Sequence, residues 1–216
     1  VTRSKTEAKA GYNGMSKWYD TVAGSSEKKY RDLGLQKLAA QPGERILEIG
    51  FGTGHCLLAL AQAVGAAGHI YGLDISEGMR DIAQARLAQA GLAERVTLHI
   101  GDAAASIPTD NLDAIFMSFT LELFDTPEIP QVLQQCLAAL KPGGRIGVVS
   151  LEKTDAFVVR IYEWFHEKMP NTVDCRPIYA QAALRQAGFE ISDANTEVMW
   201  GLPVEIVLAK KAGGRA

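Results

Sequence analysis

From about residue 44 onward, short apolar runs alternate with stretches whose apolar residues recur every three or four positions. Arg45 to Ile49, His69 to Asp74, Val96 to Ile100, Ala114 to Ser118 and Arg145 to Ser150 read as strands. Between them, His55 to Val64 has a helical period. So does the stretch that Ser76 caps and that ends near Gly91, with Glu77 adding favourable charge to its first turn. Pro130 to Leu140 is a further helix, stopped by the turn signal Lys141-Pro142-Gly143-Gly144. Strands and helices alternating at these lengths predict a parallel sheet with helices on both faces.

Both ends of the chain depart from that alternation. Ala180 to Ala187 reads as a helix closed by Gly188. Phe189 to Val198 and Val204 to Lys210 are then two extended segments separated by a turn at Gly201-Leu202-Pro203. Strands joined so closely must pair antiparallel, because a parallel crossover needs about a dozen residues or more. At the other end, Lys5 to Tyr19 and Ser26 to Ala39 form a helical prefix. It either packs on the sheet or covers the site at the sheet's carboxyl edge.

Composition narrows the class without naming an activity. A chain of 216 residues, 47% hydrophobic and 22% charged, suits one large globular domain. The net charge of -3 gives no strong electrostatic case for nucleic acid, and the mildly basic first forty residues read as a solvated helix face. Cys56, Cys136 and Cys175 are odd in number and widely spaced, which argues against a disulfide framework or a structural zinc site. No apolar run is long enough to span a membrane and no signal-peptide core is present, so a cytoplasmic setting is expected. A homodimer is left open.

The chemistry concentrates in Ile46-Leu47-Glu48-Ile49-Gly50-Phe51-Gly52-Thr53-Gly54-His55. An apolar strand runs into three alternating glycines and then a helix, letting the backbone turn sharply, approach a ligand and offer free N–H groups at the helix start. Glu48 is placed to neutralise a ligand ammonium and would be a poor neighbour for a pyrophosphate. Asp74 ends the next strand, at the distance where an acid takes ribose hydroxyls. Asp102, in Gly101-Asp102-Ala103 after the third strand, can accept from an adenine amine. Successive strand tips thus suit successive parts of an adenosyl amino acid, although any one of these acids would also serve as a helix cap.

These residues resemble the class I S-adenosylmethionine-dependent methyltransferases. Glu48 to Gly54 is similar to that family's first motif, Asp74 to its second, Gly101-Asp102-Ala103 to its adenine-side position and Lys141-Pro142-Gly143-Gly144 to its turn before strand five. The resemblance implies a Rossmann-like α/β fold. Its seven-stranded sheet would be mostly parallel with an antiparallel C-terminal strand, with helices on both faces and an N-terminal helical lid over residues 1–40 preceding a donor-binding domain over 41–216. The implied cofactor is S-adenosylmethionine, leaving as S-adenosylhomocysteine, with no metal. The implied contacts are Glu48, Gly50, Phe51, Gly52, Thr53, Gly54, Asp74, Ile75, Asp102, Ala103, Ser118 and Tyr19. Within the family, Gly52-Thr53-Gly54, Asp74, Asp102-Ala103, Ser118 and Leu140 to Arg145 resemble the ubiquinone and menaquinone C-methyltransferases. The residues beyond Tyr19-Asp20, and the segments 162–166 and 173–177, depart from that group's pattern where the acceptor should bind.

Methyl transfer from a sulfonium needs alignment and exclusion of water, and a base only if the acceptor must lose a proton. Glu122, following the fourth strand, and His166, in an aromatic stretch with Tyr162, Trp164 and Phe165, are the acceptor-side candidates. Each also fits a plain structural role. Tyr12, Trp18 and Tyr19 suit a lid, Arg176 suits either pairing with an acidic acceptor or bracing its loop, and Cys175 is a weak nucleophile candidate. The expected partner is a small-molecule acceptor, quinone-like or another aromatic metabolite, methylated at carbon, oxygen, nitrogen or sulfur. A nicotinamide-dependent oxidoreductase shares the glycine-turn logic, but Glu48 and the terminal hairpin speak against it. A non-catalytic S-adenosylmethionine-binding protein stays open.

Overall fold

The computed structural model describes residues 24–168 and 175–213, with side chains for 26–164 and 175–213. The expected first helix, with Tyr12, Trp18 and Tyr19, lies outside the described residues. In chain order the elements are α1 (Gly24–Leu38), β1 (Arg45–Ile49), α2 (His55–Val64), β2 (His69–Asp74), α3 (Glu77–Gln89), β3 (Val96–Ile100), β4 (Leu112–Ser118), α4 (Ile129–Ala139), β5 (Leu140–Leu151), α5 (Phe157–Lys168), α6 (Ala180–Gln186), β6 (Phe189–Met199) and β7 (Leu202–Lys211). Two short 3-10 turns, Ala93–Arg95 and Leu121–Leu123, precede β3 and follow β4.

The seven strands form one sheet in the order β3-β2-β1-β4-β5-β7-β6. The first five pair parallel, and β7 runs antiparallel to both β5 and β6. Alternating side chains of each central strand feed two separate cores, as the period of two requires. Ile46, Phe116 and Val149 face α1 and α2 with Leu38, Leu57 and Leu60. Leu47, Ile115 and Val148 face α4 and α6 with Val132, Leu133 and Leu184. The order reverses direction between β1 and β4. Neighbouring connections there leave to opposite faces and open a crevice at the strands' carboxyl ends.

Two local features differ from the sequence reading, and a third settles an alternative it left open. Lys141 to Gly144 does not separate helix from strand but is a four-residue excursion inside β5. Leu112 pairs with Leu140 while Ala114 pairs with Arg145, and Lys141 forms an ion pair with Asp113 across the gap. The last hairpin turns at Trp200-Gly201, two residues earlier than expected, because Leu202 and Pro203 already pair with Met199 and Val198. Pro203 is tolerated because β5 ends opposite Val204, so β5 does not need the missing N–H. The helix expected over Ser26 to Ala39 forms and packs on the sheet. Arg145 holds its end, donating to the carbonyls of Leu38 (2.7 Å) and Ala39 (3.1 Å) and pairing with Glu44 at 2.7 Å.

Candidate active site

The crevice at the carboxyl edge opens into a cleft of about 1090 Å³. Its floor is the glycine turn between β1 and α2. Gly50 (φ +71°) donates its N–H to Leu73 O at 2.8 Å, and Gly54 (φ +84°) caps α2 in the left-handed region. A methyl group on Gly50 would stand 2.3 Å from the Thr120 side chain, so only glycine lets β1 and the β4 tip approach this closely.

Glu48, buried at the base of this turn, is 2% exposed. It accepts hydrogen bonds from the Cys56 thiol and the Leu57 N–H in the first turn of α2, so part of its carboxylate does cap a helix. Its Oε2 has no hydrogen-bond partner among the described residues. Burial pushes the Glu48 carboxyl well above the usual range. Asp74 adds to the rise, while the two hydrogen bonds and Arg31 oppose it. A carboxylate so placed gains from an incoming cation. Asp74, at the tip of β2, accepts from Gly52 N–H and Ser76 N–H, each at 2.9 Å. It is raised by burial against these backbone donors. Asp102 accepts from Ala104 N–H at 2.9 Å. Ile75, Ala103, Phe51, Thr53 and Ser118 also line the cleft. The Thr53 hydroxyl takes a 3.1 Å hydrogen bond from Arg86, whereas Ser118 Oγ is buried with no partner among the described residues.

The chain matches known proteins along this site. Residues 46–144, from β1 through the excursion in β5, match the family model described as a methyltransferase domain. A 2-phytyl-1,4-naphthoquinone methyltransferase of Synechococcus elongatus is 28% identical over 196 residues, covering 90% of this chain and 81% of the relative. The matched segment is a methyltransferase domain of the S-adenosylmethionine-dependent kind. Two solved structures share its fold. One is a methyltransferase of Aquifex aeolicus (TM-score 0.69, 20% identity, covering 93% of this chain and 98% of that one). The other is the cyclase SpnF (TM-score 0.77, 21% identity, covering 99% and 98%). That a cyclase has this fold shows how little the fold alone decides the chemistry.

Opposite the glycine turn, the chain leaves β4 through Phe119, a non-glycine residue at φ +50°. β4 ends there, and Glu122 takes over its place beside β5, accepting the Leu151 N–H on Oε1 at 3.2 Å. Glu122 is 1% exposed and lines the cleft. Arg176 braces the same loop, donating to the carbonyls of Glu122 and Phe124 and to the Thr126 hydroxyl. Of the two roles open to Arg176 in the sequence, bracing is the one its contacts describe. His166 falls within α5, but its side chain lies outside the described residues. His69 is remote from the cleft, bonded to Thr97 Oγ1 at 2.8 Å.

Several cleft residues carried no signal in the sequence. Glu27 and Arg31 reach the methyltransferase site from α1, and a Lys153–Glu163 ion pair of 2.8 Å closes one wall. Phe124, Pro127, Ile129 and Tyr179 form an apolar flank. Only tertiary packing brings these positions together. No helix among the described residues is long and apolar enough to cross a membrane.

Proposed function

We propose that this methyltransferase acts on a small aromatic acceptor of the quinol class, aligned for in-line attack at the apolar flank of the cleft. The observation that carries the site assignment is the buried Glu48 Oε2 without a partner beneath the glycine turn. It leaves a carboxyl niche that an incoming ammonium group would ionise and pair with. On this assignment Asp74 holds the ribose hydroxyls, Asp102 and Ala103 meet the adenine, and Ile75, Phe51 and Thr53 complete the walls, with Ser118 Oγ aimed at the donor near the β4 tip. Gly50, Gly52 and Gly54 admit the amino-acid arm. Tyr19 and the prefix over residues 1–40 would cover the bound donor, ahead of a donor-binding domain over 41–216.

The donor supplies an activated methyl group. The chain's own residues align the acceptor, exclude water and manage the acceptor's proton. Glu122 is the acceptor-side acid in this reading, with His166 the second candidate. The quinol class rests on the relative in Synechococcus, named for a naphthoquinone acceptor, and on the apolar flank of Phe124, Pro127, Ile129 and Tyr179. A cytoplasmic setting accords with these assignments.

The test is transfer of label from methyl-labelled S-adenosylmethionine to a panel of naphthoquinols, benzoquinols and simple phenols, with mass identification of the product. Label in a ring-methylated quinol is the expected result. Label only in a non-aromatic amine or thiol, from a metabolite extract run beside the panel, would overturn the acceptor class.

A further inference from the structure

Leu123 and Tyr179 are exposed where they line the cleft. Every other exposed large apolar side chain among the described residues lies in one place. Phe157, Val158, Ile161 and Trp164 are on α5, and Val198 and Trp200 are at the end of the β6–β7 hairpin. The two elements touch, since a methyl group on Gly201 would stand 3.9 Å from Val158. The hairpin turn lies at the carboxyl edge of the sheet, because β7 starts beside the end of β5, with Val204 opposite Leu151. Helix α5 joins this patch to the cleft, whose wall its Glu163 helps to close.

A surface helix normally turns its apolar face inward and its charges to water. Here α5 buries Val159 and turns Glu163 inward to Lys153 at 2.8 Å. Its exposed positions between 157 and 164 are Phe157, Val158, Arg160, Ile161 and Trp164, with no acid among them. An apolar helix face that carries tryptophan and a cation suits the boundary between lipid headgroups and acyl chains. Trp200 adds an independent observation. It holds φ +52°, a backbone costly for a residue with a side chain, yet it is 74% exposed. Strain kept with so little packing inside the chain calls for a contact outside it. A two-residue turn and a helix face are convex, a shape that a fluid bilayer accommodates and a folded partner would have to match with a concavity. Charge agrees with an anionic surface. The segment leading into α1 carries Arg3, Lys5, Lys9 and Lys17 against Glu7 and Asp20. Lys29 and Tyr30 of α1 bond Glu197 and Val198 beside the turn.

We propose that α5 and the β6–β7 turn seat the protein on an anionic bilayer surface. Phe157, Ile161, Trp164 and Trp200 enter the headgroup layer, and Arg160 meets lipid phosphates. The docking stands on these exposed side chains alone. Its use, holding a lipid-soluble acceptor at the cleft mouth, rests on the quinol-class reading.

The test is co-sedimentation of the full chain with vesicles of equal parts phosphatidylcholine and phosphatidylglycerol, and with vesicles of phosphatidylcholine alone. The wild-type protein should bind the anionic vesicles, and the neutral ones several-fold more weakly. Phe157→Gln together with Ile161→Gln should weaken binding to the anionic vesicles by roughly 10- to 100-fold, the loss of two partly inserted apolar side chains. Arg160→Gln should weaken it by about fivefold, the effect of one basic residue at such a surface, and leave the neutral vesicles unchanged. None of these side chains lines the cleft, so affinity for S-adenosylhomocysteine should stay within about twofold in each variant and shows that the fold is intact. No vesicle binding by the wild-type protein, or binding that the double variant retains, would overturn the docking. A wild-type homodimer that the double variant dissociates in the absence of lipid would overturn it too, by making this face a contact between two copies. Label transfer to a water-soluble quinol by a protein that ignores vesicles would overturn the docking and leave the acceptor class standing. Vesicle binding with no label in any quinol would support the docking and overturn the acceptor class alone.

Discussion

At the residue scale, two side chains of the β4 tip separate packing from chemistry. Thr120 fills the space that any side chain on Gly50 would need, and Gly50 has a left-handed backbone. Gly50→Ala therefore combines backbone strain with overpacking and should cost about 2–4 kcal/mol of stability. Urea denaturation measures it. Adding Thr120→Gly should recover the steric part only, and a single-variant cost below about 0.5 kcal/mol would show that the turn relaxes freely. Glu122 poses the opposite question, since its carboxylate both lines the cleft and takes the Leu151 N–H. Glutamine preserves that acceptor and removes the charge. Glu122→Gln should slow turnover by about 10²-fold with donor affinity unchanged if the carboxylate handles the acceptor's proton. Full activity would leave Glu122 as a bracket for the end of β5.

At the element scale, regular strands were legible and their irregular joints were not. Arg45 to Ile49, His69 to Asp74 and Val96 to Ile100 begin and end where apolar runs meet charges, glycine or turn residues, so their limits agree with the sequence reading. The joint at residues 200–201 did not show itself, because a proline two residues past a glycine normally marks the turn. What moved the turn was pairing: Met199 meets Leu202, leaving Trp200 and Gly201 as a two-residue loop with φ of +52° and +83°. The cleft's second wall was hidden for a different reason. Glu27 and Arg31 lie on a helix whose period is plain, but nothing local says that its upper turns overhang the sheet. Trp200 gives the hairpin a test. A type I′ turn favours asparagine at its first position, and Trp200, 74% exposed, has little packing to lose. Trp200→Asn should stabilise the protein by about 0.5–1 kcal/mol and raise the melting midpoint by roughly 1–3 °C, with donor binding unchanged. A lowered midpoint would mean that the indole contributes a contact worth more than the strained backbone.

At the scale of the whole molecule, the sheet order places β1 and β4 side by side with Glu48 buried between their carboxyl ends and the start of α2. This arrangement makes stability and donor binding oppose one another. In the folded, donor-free protein the Glu48 carboxyl is raised well above its ordinary value of 4.5 by burial, whereas in the unfolded chain it titrates near that value. Between the two the folded state holds a proton that the unfolded state has lost, so this group's contribution to stability falls as pH rises through that window. A donor ammonium beside Glu48 favours the ionised form and reverses the preference. Donor binding should therefore release a proton, and affinity should increase with pH until the donor-free carboxyl is itself ionised. Calorimetry of S-adenosylhomocysteine binding in two buffers of different ionisation enthalpy measures the proton directly. In Glu48→Gln the release should vanish, donor affinity should drop, and stability should decline less between acid and neutral pH than in the wild-type protein. A glutamine variant with unchanged proton release and an unchanged pH slope would place the ammonium elsewhere and make Glu48 a helix cap alone. Weaker binding together with a gain in neutral-pH stability would instead identify Glu48 as a charge kept at a cost to the fold because the donor needs it.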